Sequence, residues 1–418
     1  MPLIAGVIMP HGALILDPTR PEMSEALSTS AKKLHDACVA AAEEIEALRP
    51  DLILLYTPHG LIADGVDMNI YTNESASGSC EWMGSWAEHR VAVRCDKAAA
   101  ESLVDTLKNA GCSAAGLCAF SGYDAPLRWG EAVPLSFLRR VTARPGGAGA
   151  RVLMLSHGPS STSQRCELAA QRIEATKHMG ATISEWCAGR TERILLLISG
   201  DLAHTHGNDR APLLGNGEKD PRYLNPKYPV RDPSAMAFER AIQFWIHSVG
   251  SPFSWESLRT HALNDMPKAL CCGYEGFVML HTALRLHESS CAFVPKLFAH
   301  EVPVYYGMLV ATFLPDDDGT TTAAASSEPP AKRSRSDTNG GPSSALAQSL
   351  APPPLPPRLA SVDFVGKSVL VSGAGHGFGR AIALSFASLG AVVSACDGPG
   401  ALAEAELAET AKLAVGLR

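Results

Sequence analysis

Three apolar runs in the chain each end in a short turn that carries a histidine. They are Val7-Ile8-Met9-Pro10-His11-Gly12, Leu54-Leu55-Tyr56-Thr57-Pro58-His59-Gly60 and Leu197-Ile198-Ser199-Gly200-Asp201-Leu202-Ala203-His204. Imidazole binds borderline divalent metals, and two histidines with one carboxylate on one face of Fe(II) leave positions open for oxygen and a substrate. A third histidine, unligated, can act as acid and base near neutral pH. The proline before His11 and His59 restricts the preceding residue to extended geometry, and the following glycine permits a tight exit. A single histidine in such a turn is ordinarily a loop residue satisfied by hydrogen bonds. The repetition of Pro-His-Gly after an apolar run is what points to a shared metal site.

The remaining ligand is expected from Leu270-Cys271-Cys272-Gly273-Tyr274-Glu275-Gly276-Phe277-Val278-Met279-Leu280, which reads as a turn entering a buried helix. Glu275 is a carboxylate inside an apolar run, where an unpaired charge is costly unless a metal or a cation neutralises it. Its alternative role is an exposed acid in the first helical turn, favoured by the helix dipole. Cys271 and Cys272 are rivals, and a thiolate here would favour zinc or copper over iron. Asp201 is placed either to orient His204 or to cap its own turn. His157 and His206 read as residues on the rim of the site.

These side chains need elements to position them, and the alternation of short apolar runs with longer amphipathic stretches predicts an α/β layer protein. Strands are expected at residues 3–9, 51–57, 152–156 and 194–199, and helices at 30–48, 97–110, 163–179 and 234–249. The expected architecture is a twisted, mostly parallel sheet flanked by helices, with the metal site just beyond the strand carboxyl ends, where ligands bind in open parallel sheets.

Composition narrows the function classes. With 418 residues, 19% of them charged, and a formal net charge of −7, the chain has no electrostatic footprint for nucleic acid. The 11 cysteines are an odd number without a Cys-x-x-Cys pair, which argues against a disulfide framework and a zinc ribbon and fits a reducing, cytoplasmic setting. The opening apolar run, Leu3 to Met9, is too short for a signal peptide or a membrane span.

Residues 1–315 read as one domain. Residues 316–360, rich in Ala, Ser, Thr and Pro and ending in Pro352-Pro353-Pro354-Leu355-Pro356-Pro357, read as a disordered linker. The cluster Lys332-Arg333-Ser334-Arg335 reads as solvated linker charge. Residues 361–418 begin a second domain: an apolar run, then Ser372-Gly373-Ala374-Gly375-His376-Gly377-Phe378-Gly379, a helix, and a second run ending at Asp397. Glycines in that context let backbone approach a pyrophosphate at a helix N-terminus, and an acid at the next strand end bonds the ribose of NAD. Gly373, Gly377, Gly379 and Asp397 are the candidate cofactor residues. The segment resembles the start of a short-chain dehydrogenase/reductase, a truncated Rossmann-like fragment from which NAD binding and dehydrogenase activity are not expected.

The first 315 residues resemble the class III extradiol ring-cleavage dioxygenases, the superfamily that includes the protocatechuate 4,5-dioxygenase catalytic subunit and the related Memo proteins. The resemblance is carried by the strand with His11, Thr57-Pro58-His59-Gly60, Val133-Pro134-Leu135-Ser136-Phe137-Leu138, Ser199 to His204, Gly273-Tyr274-Glu275-Gly276 and Tyr305-Tyr306-Gly307-Met308. It implies that His11 and His59 bind Fe(II), that Glu275 completes the set, and that His204 is the acid/base. Memo proteins instead use a cysteine before glycine, which here is Cys272. Where the family often has Asp-His-Gly, this chain has Arg128-Trp129-Gly130. The implied activity is opening of a catechol- or aminophenol-type ring with dioxygen. The alternative is a Memo-like copper or zinc protein acting in redox or signalling. The expected partners are a small aromatic substrate and dioxygen, with no nucleic acid and no membrane, and association into a homo-oligomer is left open.

Overall fold

The computed structural model describes residues 2–120, 123–144, 147–158, 162–288, 291–316, 367–372, 374, 377–388 and 390–396. The chain divides into two compact units, Met1–Gly319 and Thr320–Arg418. Residues 317–360, expected as linker, lie outside the described residues.

In the first unit, strands buried on both faces require near-continuous apolar sequence, and the four apolar runs of this kind form the sheet centre. Leu3–Met9, Ile194–Ser199, Leu52–Thr57 and Arg151–His157 lie side by side, each parallel to the next. Outside them the order continues to Phe293–Glu301 and Met308–Pro315 at one edge, and to Met68–Tyr71 and Ala114–Leu117 at the other. The sheet is therefore mixed rather than mostly parallel. Phe293–Glu301, Met308–Pro315 and Leu3–Met9 pair antiparallel, as do Met68–Tyr71 and Arg151–His157. The reason at the first edge is connection length: the six residues 302–307 can join antiparallel neighbours, whereas a parallel return needs a crossover of a dozen or more.

Side chains alternate across the pleat. Leu52, Leu54 and Tyr56 enter one core with Met179, Phe238, Trp245 and Phe277. Ile53 and Leu55 enter the other with Leu34, Cys38, Ile45 and Leu135. Helices Thr162–Ala188, Pro233–His247 and Tyr274–Ala283 thus cover one face, and Glu25–Leu48 and Trp129–Phe137 the other. Each fully buried Leu, Ile or Phe contributes about 2 kcal/mol, so these two layers hold the strand ends in place.

Element boundaries follow local chemistry. Glu25–Leu48 starts earlier than periodicity suggests because the Ser24 hydroxyl accepts from the Leu27 N–H, a favourable N-cap. It stops at Arg49, in left-handed conformation before Pro50. Thr162–Ala188 runs past its expected end because Ile183, Trp186 and Cys187 continue the buried stripe. Among the described residues no helix is long and apolar enough to cross a membrane.

In the second unit, strands Ser368–Ser372 and Val392–Cys396 pair in parallel and helix Gly377–Ser388 connects them. Gly377 opens that helix and Gly379 lies in its first turn. Gly373 and Asp397, the other two candidate cofactor residues, lie outside the described residues. Two strands are too few for independent stability without further packing.

Candidate metal centre

The four central strands deliver their carboxyl ends to one edge of the sheet. His11 follows Leu3–Met9, His59 follows Leu52–Thr57, Asp201 and His204 follow Ile194–Ser199, and His157 closes Arg151–His157. The turn before helix Tyr274–Ala283 reaches this edge through a backbone contact that only glycine allows. A Cβ on Gly200 would meet Gly273 Cα at 2.6 Å. The Gly273 N–H donates to the Asp201 carbonyl at 3.2 Å, and Cys272 is thereby carried to His11.

One potential ligand atom each from His11, His59 and Cys272 lies within 4.8 Å of the others. His11 and Cys272 are buried and His59 is half-buried. The two imidazoles meet edge to face, 4.8 Å between centroids. Cys272 Sγ lies 3.4 Å from His11 Nε2, and Asp201 Oδ2 lies 3.4 Å from the same nitrogen.

The tautomer of His11 follows from its neighbours. The Ser199 hydroxyl has one hydrogen, which it donates to the Gly130 carbonyl. Its contact with His11 Nδ1, at 3.0 Å, then requires the imidazole to donate from Nδ1, which leaves the lone pair on Nε2. An outer partner that fixes the tautomer in this way is usual for metal-ligating histidine. A lone pair, a sulfur and a carboxylate oxygen converge, an arrangement that needs a cation or protons between them. Burial pushes the Asp201 carboxyl up to about 7, against the lowering effect of the His11 and Gly12 backbone N–H groups.

Glu275, expected as the third ligand, is placed elsewhere. Its carboxylate lies 3.1 Å from His157 Nδ1 and 3.7 Å from an Arg172 nitrogen. Arg172 also donates to His157 Nε2 at 2.9 Å and pairs with Asp67 at 2.9 Å. His157 therefore accepts at Nε2 and donates from Nδ1 to Glu275, and the Arg172 guanidinium stands beside the carboxylate. The position that joins the histidines is Cys272, the rival two residues before Tyr274. Helix geometry separates the two: Cys272 belongs to the turn that touches Gly200, whereas Glu275 sits inside the helix on the side of Arg151–His157.

The other expectations divide. His204 does line the cavity beside the metal-ligand group, a space of about 180 Å³ shared with His11, His59, Asp201, Trp82, Trp129 and the Tyr305–Tyr306 pair. Its Nδ1 contacts the Leu202 carbonyl at 2.9 Å, so Nδ1 carries a hydrogen, and its ring stacks on Tyr306 at 5.6 Å. Asp201 accepts from the His11 backbone N–H at 3.0 Å, so it serves His11 rather than His204. Trp129 packs against His59 and Trp82 and forms part of the cavity wall. His157 and His206 are not rim residues: both are buried, each bonded to a glutamate.

Glu131 was not visible as a functional candidate. It is fully buried at the start of helix Trp129–Phe137, accepting from Tyr71 Oη at 2.8 Å and from the Arg128 backbone N–H at 3.1 Å. Burial raises its carboxyl to about 7, partly offset by those donors. The sequence signal for it was an acid three residues after the helix N-cap, a position normally read as surface capping.

No protein-family model matches the chain, and no curated protein matches it. Among solved structures, the chain is similar to an uncharacterized protein JW3007 from Escherichia coli K12, with 14% identity and a TM-score of 0.40 over 74% of this chain and 99% of that one. Fold and site together define a mixed α/β protein in which two histidines at the ends of central strands meet a cysteine from the turn before helix Tyr274–Ala283.

Proposed function

We propose that His11, His59 and Cys272 hold a divalent transition metal and that the chain is a metal-binding protein of redox or signalling type, as the likeness to Memo proteins implies. The supporting observation is the His11 tautomer: Nδ1 is committed to Ser199, and Nε2 presents its lone pair to Cys272 Sγ. Two imidazoles and a thiolate suit zinc or copper. The Asp201 N–H, 3.3 Å from Cys272 Sγ, stabilises the thiolate form of that ligand. Cobalt(II) added to the metal-free chain is expected to give a thiolate-to-metal absorption band that Cys272→Ser removes. A band that persists in that variant would overturn the assignment.

The cavity favours a second reading, ring opening of a catechol- or aminophenol-type substrate with dioxygen. Trp82, Trp129, Tyr305 and Tyr306 wall a space suited to one aromatic ring, and His204 stands in it. With Nδ1 held by the Leu202 carbonyl, His204 Nε2 would take a proton from a phenolic hydroxyl and return it later. The carboxylate that lies nearest this group is that of Asp201, 3.4 Å from His11 Nε2, since Glu275 bonds His157 and pairs with Arg172. Anaerobic loading with Fe(II), then a panel of catechols and oxygen, tests this reading. A yellow ring-opened product supports it, and absence of oxygen uptake across the panel removes it.

A further inference from the structure

A second cluster of titratable groups lies behind the cavity wall, and neither reading of the metal site uses it. Glu239, on helix Pro233–His247, is buried with its carboxylate between two imidazoles. His206 Nε2 lies 2.7 Å from one of its oxygens and His300 Nε2 lies 2.7 Å from the other. A Cβ at position 307 would overlap Glu239 Oε1, so the carboxylate rests directly against the backbone of Gly307.

What these three contacts hold together is the wall itself. Residues 202–206 and 305–307 are laced by backbone bonds: Leu202 N–H to Gly307 O at 2.8 Å, Gly307 N–H to Ala203 O at 2.9 Å, and His206 N–H to Tyr305 O at 3.0 Å. The first segment carries His204 and the second carries Tyr305 and Tyr306, and the His204 and Tyr306 rings stack across the seam at 23°. Glu239 bonds the end of the first segment through His206, packs on the end of the second at Gly307, and anchors both to the edge strand through His300. Burial would neutralise it, yet the hydrogen bonds and charges of the two imidazoles more than offset that and hold its carboxyl below the usual range. A charged, doubly bonded group inside a low-dielectric interior resists displacement.

We infer that Glu239 is the positioning residue of the cavity: through His206, His300 and Gly307 it locks the segment bearing His204 against the segment bearing Tyr306, and so sets the orientation of the His204 ring. The inference rests on reading the cavity beside His11, His59 and Cys272 as the working site.

The test uses the full chain with labelled histidine, following the His204 ring protons by NMR, since the stacked Tyr306 ring shifts them. Glu239→Gln, His300→Ala and Gly307→Ala are compared, the last adding a methyl where the carboxylate rests. Each folded variant is expected to lose the ring-current shift of His204 while keeping the cobalt band of the metal group. If ring-opening activity is present, kcat falls by about a hundredfold with little change in KM, the cost of a misplaced group. A merely structural role would lower thermal stability and leave the His204 signal where it is; that outcome in the folded variants overturns the inference. Should Glu239→Gln fail to fold, His300→Ala, altered at the sheet edge, and Gly307→Ala decide it. A wild-type chain with no cobalt band would overturn the metal reading, and the His204 shifts would still decide the positioning role.

Discussion

Two clusters draw on the same few residues before and within helix Tyr274–Ala283, and they solve opposite electrostatic problems. Cys272 joins His11 and His59, with Asp201 close by, in a group of electron-pair donors gathered within a few ångströms of one another. Glu275, three residues on, joins His157 and Arg172, where a guanidinium supplies the positive charge. The first arrangement is suited to taking up an ion, and the second is self-contained. Buried acid is common to both, so burial of a carboxylate does not by itself mark a ligand. What separates them is that a guanidinium stands beside Glu275, whereas Cys272 stands beside two imidazoles.

The largest expected effect breaks the self-contained cluster. Arg172→Met leaves the buried Glu275 without its guanidinium partner and is expected to cost about 3–5 kcal/mol of folding stability, as removal of one partner of a buried pair does. Chemical denaturation measures it, and a loss no larger than for an exposed pair would show that Glu275 is not held by Arg172.

Glu131 is a third case, a buried carboxylate bonded to Tyr71 and a backbone N–H. Burial pushes its carboxyl up to about 7 in the folded chain, against 4.5 for the free group. The native state therefore binds more protons than the unfolded state between those values. Stability is full below about pH 4.5 and falls as pH rises to about 7, by about 3 kcal/mol from this group. Glu131→Gln is expected to flatten that part of the stability profile; an unchanged slope would place the titration elsewhere.

The contrast between Cys272 and Glu275 is sharpest in metal affinity. Loss of an outer partner of a ligand costs ten- to a hundredfold, so removal of the ligand in Cys272→Ser is expected to cost at least about a hundredfold. Glu275→Gln is expected to leave affinity unchanged, as competition with a chromophoric chelator would show. The reverse result would exchange the roles of the two residues. The smallest effect belongs to His204→Phe, which is expected to keep the metal, since His204 stands outside the ligand group. Metal loss in that variant would make it a ligand.

The sequence by itself determined the central strands and the histidines at their ends, because both are local. A buried strand needs a continuous apolar run, and Pro-His-Gly after such a run places an imidazole at the strand end whatever surrounds it. Residues 3–9 and 194–199 could be delimited to the residue for this reason. Tertiary structure alone brought Cys272, and not Glu275, into one group with His11 and His59, since both read as buried polar groups at a helix start. The choice depends on the approach of Gly273 to Gly200 and on Arg172, a residue about a hundred positions away that reaches Glu275 only once helix Thr162–Ala188 has packed. It likewise decided that His157 and His206 are interior, because their partners Glu275 and Glu239 come from distant helices. It also made the sheet mixed, through an edge hairpin whose pairing partner, the first strand, lies at the other end of the unit. Periodicity reports which residues are buried; only packing reports what they are buried against.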